Sequence, residues 1–171
     1  TAAAPIGPAS FSRRSGATPA GPPRGELTEA EAILKQRLAD ASVTERGAAL
    51  FQTRQFLSRA KDKEAASAML ERLLTPYNNT VEARILLAQN AFARGDKVRA
   101  ETEARAALAL KPDSEIAVLM LAQVMEDQAK VEGLLTGFLA THPKAHEVRA
   151  AHARMLVDQK QYGKARESFE R

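Results

Sequence analysis

The tripeptide Leu87-Ala88-Gln89 returns as Leu121-Ala122-Gln123, and the pair Asp62-Lys63 returns as Asp96-Lys97. Both recurrences are shifted by 34 residues, and Gln55, Gln89 and Gln123 stand on the same spacing. A period near 34 marks a stack of two-helix units, because one helical hairpin cannot bury its apolar face alone and needs neighbours to complete its interior. Such a chain is expected to be a binding or assembly scaffold rather than an enzyme.

Punctuation along the chain agrees with the period. Residues 1–25 are rich in Ala, Pro, Gly and Ser, and Pro5, Pro8, Pro19, Pro22 and Pro23 block a helix and remove backbone donors. This stretch reads as a disordered tail, leaving residues 26–171 as the folded domain. Thr28 and Glu31 form a capping-box pattern, and Leu34 and Leu38 follow at helical spacing, which predicts a first helix from Thr28 to about Ala41. Further helices are predicted over 44–60, 63–74, 80–94, 97–110, 114–128, 131–141, 144–159 and 162–171. Lys61-Asp62 makes a turn, Asp96 stands at a cap position, Asp113-Ser114 opens a helix, Gly95 stands at a helix end, and Pro76, Pro112 and Pro143 act as stops. The units run over about 44–79, 80–113, 114–143 and 144–171. The third is about three residues short at its internal turn, and the fourth is cut within its second helix. Phe169 then sits on an uncovered apolar face, so the natural protein is expected to continue or to pack there on another chain. The chain begins with Thr1 rather than Met, which fits a processed or excised piece.

Composition narrows the function classes. The content of 44% hydrophobic residues suffices for a core, yet aromatics make up only 5%, and alanine fills the apolar positions instead. Small side chains favour helix and let helices approach closely. Three of the 25 basic residues, Arg13, Arg14 and Arg24, lie in the first 25 residues, which hold no acid. The rest carries 22 bases against 21 acids, so no nucleic-acid surface is expected on the folded part. The absence of cysteine excludes disulfides and thiolate chemistry. No run reaches the ~18 apolar residues of a membrane span, and Thr1 to Ala20 lacks the apolar core of roughly 7–15 residues that marks a signal peptide.

The units resemble tetratricopeptide repeats. The resemblance rests on Leu87, Ala88, Ala100, Ala104, Ala107 and Pro112 in the best unit, with Leu121-Ala122, Ala66, Tyr162, Ala165 and Phe169 in others. The family's large aromatics are mostly replaced, as at Arg84 and Ala91, and its glycine becomes alanine. The resemblance implies an all-α fold: a right-handed superhelical solenoid of antiparallel helix pairs, about 3.5 repeats preceded by an N-terminal helix. The stretches Gly137 to Pro143 and Tyr162 to Arg166 are similar to bacterial envelope-associated members of the family, which implies a periplasmic or envelope location, with the cytoplasm as the alternative.

In the family the first helix of each unit lines a concave groove that receives an extended peptide or a partner helix. Carried onto this chain, the groove residues are Phe51, Gln55 and Arg59 in the first unit and Glu82, Ile85, Gln89 and Phe92 in the second. The third supplies Leu119, Gln123 and Glu126, with Ile116 one turn earlier. Phe51, Ile85 and Leu119 would make an apolar stripe beside the glutamine ladder, whose amides can pair with a peptide backbone. The alternative is that the stripe packs into the core and the glutamines are solvated. The partner is expected to be a protein or peptide, with self-association through the C-terminal end, or an accessory role in a longer protein, as the competing readings. The family's basic clamp for a terminal carboxylate is missing, since Phe51, Gln55, Ile85 and Gln89 stand in those places.

Other motifs carry little. His142 and His146 are separated by Pro143 and a helix start, and no third ligand completes a metal site. No glycine-rich loop follows a strand, and no serine or threonine has a placed histidine base. No catalytic residue, metal or cofactor is therefore expected.

Overall fold

The structure is a computed structural model that describes residues 24–170. Nearly all of the expected tail lies outside the described residues. Those residues form nine α-helices, one 3-10 turn and no strand: α1 (Arg24–Asp40), α2 (Val43–Leu57), α3 (Lys63–Leu74), α4 (Val81–Ala93), α5 (Lys97–Leu110), α6 (Glu115–Val124), α7 (Gln128–Thr141), α8 (His146–Asp158) and α9 (Tyr162–Glu170). The 3-10 turn, Thr75–Tyr77, accommodates Pro76 directly after α3.

Local chemistry sets the helix boundaries, and it repeats. Asp62 and Asp96, 34 residues apart, each accept from the backbone N–H three residues on, at 3.0 Å, and so start α3 and α5. Thr80 and Ser114, again 34 apart, do the same for Ala83 and Ala117 at 3.3 Å, starting α4 and α6. Each cap satisfies an amide that has no partner within its helix. At the end of α4, Gly95 takes a φ of +79°, so that its own N–H and that of Asp96 reach back to Phe92 and Ala91. Lys160 repeats this motif at the end of α8 with a φ of +61°, bonding to Val157 while Gln161 bonds to Leu156.

Two boundaries differ from expectation. α1 begins at Arg24, so the Thr28–Glu31 pattern lies inside the helix; Glu31 instead receives Arg72 of α3 through two bonds of 2.7 and 2.8 Å. The capping box occurs at Ser42 and Glu45, at the start of α2. The break predicted after residue 128 falls at Met125–Asp127, where Asp127 caps α7 through the amides of Ala129 and Lys130. The three missing residues come from the first helix of that unit: α6 has 10 residues and α4 has 13.

The helices pack mainly with near neighbours. α4 and α5 form the closest pair, α2 packs on α4, α4 on α6, and α6 on α8. The buried apolar residues fall into three successive clusters. The first joins α1 to α4, the second α4 to α6, and the third α6 to α8. α4 serves two of them from opposite faces, Ala83, Leu86 and Leu87 facing the first and Ile85, Ala88 and Ala91 the second. Alanine makes this possible. Ala88, Ala100, Ala104, Ala107 and Ala117 are fully buried, and nothing larger is needed where the helix backbones come close.

The outer face of α1 and α2 departs from the pattern. Leu70, Leu74 and Leu86 are buried, but the residues 34 positions earlier are Gln36, Asp40 and Gln52, all exposed. Gln36 donates to Asp40 at 2.8 Å, and Arg37 to Gln52 at 2.5 Å. These side chains rim an open hollow of about 890 Å³ between the two helices. Ala32, Ile33, Ala41, Ala48 and Ala49 also line it, so its floor is apolar beneath the polar rim, and among the described residues no helix lies over it.

Candidate functional site

The predicted site residues belong to α2, α4 and α6 and the turns after them. Residues 51 and 55, residues 85, 89 and 92, and residues 116, 119 and 123 each share one side of their helix, being three, four or seven apart. On α2, Phe51 is 54% exposed and Gln55 is also exposed. Arg59 is exposed but lies beyond the end of α2, in the turn toward α3.

On α4, Glu82 is exposed, and its Cγ would lie 3.2 Å from a Cβ placed on Gly47 of α2. Glycine at 47 thus lets the Glu82 stem lie against the neighbouring helix. Phe92 is 38% exposed. Gln89 is half-buried at the wall of a cleft of about 330 Å³ that also holds Arg54, Ser58, Lys63 and Arg94.

The apolar stripe does not form as expected. Ile85 is only 8% exposed and packs into the second cluster with Met120 and Leu121 of α6, because its side of α4 is the side that α6 covers. Leu119 is half-buried against the third cluster. Ile85 is therefore a core residue, and the alternative reading holds for it. Gln123 of α6 is exposed. Glu126 is not on a helix but in the turn after α6, where it pairs with Lys97 of α5. That hydrogen bond from the ammonium, with the charge attraction, holds the Glu126 carboxyl below its usual range.

A different set of apolar residues stays open to solvent. Phe51 of α2 and Phe92 of α4 are joined by Ile116 of α6, 65% exposed, and Val157 of α8, 44% exposed. Each of the four even-numbered helices contributes at least one; α2 also exposes Val43 and Phe56, and Ile33 of α1 and Val98 and Leu110 of α5 are exposed as well. Val157 went unrecognised in the sequence, although it stands 34 residues after Gln123. The preceding members of that series are glutamines and gave no sign of an apolar residue.

A polar cluster behind this face also escaped the sequence reading. Ser67 Oγ donates to Asn90 Oδ1 at 2.9 Å, and Asn90 Nδ2 reaches Glu71 Oε1 at 3.4 Å. The same oxygen receives Arg94 and Arg99, each at 3.0 Å. One carboxylate oxygen of α3 thus ties down the end of α4 and the start of α5. No spacing rule brings together residues so far apart in sequence.

His142 stacks on Phe138 with ring centroids 4.3 Å apart, and its Nδ1 lies 2.8 Å from Thr141 Oγ1. Among the described residues, no group of three His, Asp or Glu is placed to hold a metal ion. No helix among them is long and apolar enough to cross a membrane. The chain matches no protein-family model and no curated protein.

Proposed function

We propose that the helices form a solenoid of tetratricopeptide-like pairs and that its concave side binds a peptide or a partner helix. The observation that carries this reading is that α2, α4, α6 and α8 each leave at least one large apolar side chain open to solvent, among them Phe51, Phe92, Ile116 and Val157. Apolar side chains left open on several successive helices suit a surface that tracks an elongated ligand. Gln55, Gln89 and Gln123 belong to the same helices α2, α4 and α6, and each amide offers both a donor and an acceptor to a backbone. The three core clusters in succession, each sharing a helix with the next, support the solenoid part of the reading. The role is non-catalytic, and an envelope location belongs to the same reading through the family resemblance.

The test is crosslinked pull-down from the native host, read by mass spectrometry. The double variant Gln89→Ala, Phe92→Ala should lose the captured partner while keeping its far-UV circular dichroism. Unchanged capture by that folded variant would refute the groove.

One observation favours a second reading, assembly through the end of the solenoid. Tyr162 and Phe169 of α9 are both largely exposed. In that case light scattering should show mass rising with concentration, and Phe169→Glu should abolish the rise. A monomer at all concentrations would exclude it.

A further inference from the structure

Matching the cap of α8 to that of α6 pairs Ala145 with Ser114, a shift of 31 residues that absorbs the shortened third unit. On that register Ala122 pairs with Ala153 and Met125 with Leu156. Leu121, buried in α6 like Leu87 in α4, pairs with His152. An imidazole thus stands in α8 where α4 and α6 place a leucine, and α2 places the buried Thr53.

Its surroundings are half polar. His152 Nδ1 lies 3.1 Å from Ser168 Oγ on α9. His152 Nε2 is buried and has no hydrogen-bond partner among the described residues. A cavity of about 490 Å³ adjoins it, bounded by α7, α8 and α9. The charged groups facing that space are Glu132 from α7, Arg149 from α8, and Lys164 and Glu167 from α9. Arg149 is already committed, donating to the carbonyl oxygens of Ser168 and Pro143.

A neutral imidazole fits this seat, with one nitrogen bonded to the serine hydroxyl and the other buried without a partner among the described residues. A protonated one does not, because both nitrogens then carry N–H groups and the Nε2 proton has no acceptor. We propose that the docking of α9 onto α8 is a pH-sensitive latch, closed over neutral His152 and loosened when the imidazole takes up a proton. Burial holds the imidazole below its ordinary value of 6.5, and the opposing field of Glu132 is the weaker influence. A base whose docked-state value is depressed favours docking fully above pH 6.5. It loses that preference as the pH falls from 6.5 toward the docked-state value.

Hydrogen exchange of the full chain between pH 7.5 and 5, corrected for the intrinsic exchange rate, tests the latch. Protection of α9 amides should fall below pH 6.5, by up to about tenfold per pH unit for one linked proton, while α4 and α5 remain unchanged. His152→Leu introduces the residue used at this register by α4 and α6 and should make α9 protection independent of pH. An independent readout is the ring proton of His152 by NMR, which should titrate below the histidine of a denatured control. The proposal is overturned if α9 protection ignores pH in the wild type, if it responds equally in His152→Leu, or if the docked imidazole titrates at its ordinary value.

Discussion

Ala104 offers a decisive test of how the central helices are held. It is fully buried on α5, in the cluster that joins α4, α5 and α6, with Ala100 and Ala107 equally buried one turn to either side. Replacing it with leucine adds three carbons. If the interface had spare room, burying them would stabilise the fold by about 2 kcal/mol, at ~0.8 kcal/mol per methylene. If the helix spacing is set by alanine, the same carbons force the helices apart at a cost of about 1–3 kcal/mol. The two cases differ in sign, so the experiment discriminates without fine precision. Close packing predicts a loss. With a urea slope of about 2 kcal/mol per molar, a 2 kcal/mol loss moves the unfolding midpoint down by about 1 M. Ala109→Leu, at an exposed position on the same helix, is the control and should stay within about 0.5 kcal/mol of the wild type. A midpoint for Ala104→Leu equal to or above that of the wild type would refute alanine-limited packing.

The other expectations concern the helix ends and one ion pair. A Cβ at Gly95 would meet nothing within 4 Å, so Gly95→Ala should cost about 1–2 kcal/mol from its positive φ alone, measured by urea unfolding. Lys160→Gly, at the matching position of α8, should raise stability by about 0.5 kcal/mol, and a loss there would contradict the strain argument. Ser114→Ala removes the cap of α6 and should cost about 1 kcal/mol, seen as a lower midpoint with unchanged slope. The hydrogen bonds from Arg72 hold the Glu31 carboxyl below its usual value, so the pair stabilises the fold above pH 4.5 and that contribution fades as acid protonates Glu31. Both side chains are partly exposed, which limits the contribution to ~1 kcal/mol or less. Arg72→Met should flatten the stability profile between pH 5 and 3, and an unaltered profile would dismiss the pair.

Helix content and most helix boundaries were legible because they depend on neighbours in sequence. Asp62, Asp96 and Ser114 act on amides three residues away, and Gly95 acts on its own backbone. The misplacements have the same origin. Met125-Glu126-Asp127 contains no Gly or Pro, and an Asp that caps α7 looks in sequence like an acid on a helix surface. Thr28 and Glu31 have the spacing of a cap, yet Glu31 is taken by an arginine 41 residues away.

The candidate site was only partly readable. Phe51, Gln55, Phe92 and Gln123 face solvent as the pattern implied, and Ile85 does not. Its hydrophobicity and position match those of Phe51. What separates them is the neighbouring helix that lies over one and leaves the other open.

The period, the all-helical content and the caps follow from the chain alone, because each is written in the spacing of nearby residues and in backbone groups that must find local partners. Which apolar residues remain exposed, how Glu71 gathers two arginines, and why His152 sits with a bare ring nitrogen were decided by tertiary packing. Burial belongs to pairs of surfaces, and only the approach of one helix to another determines which side of each is closed to water.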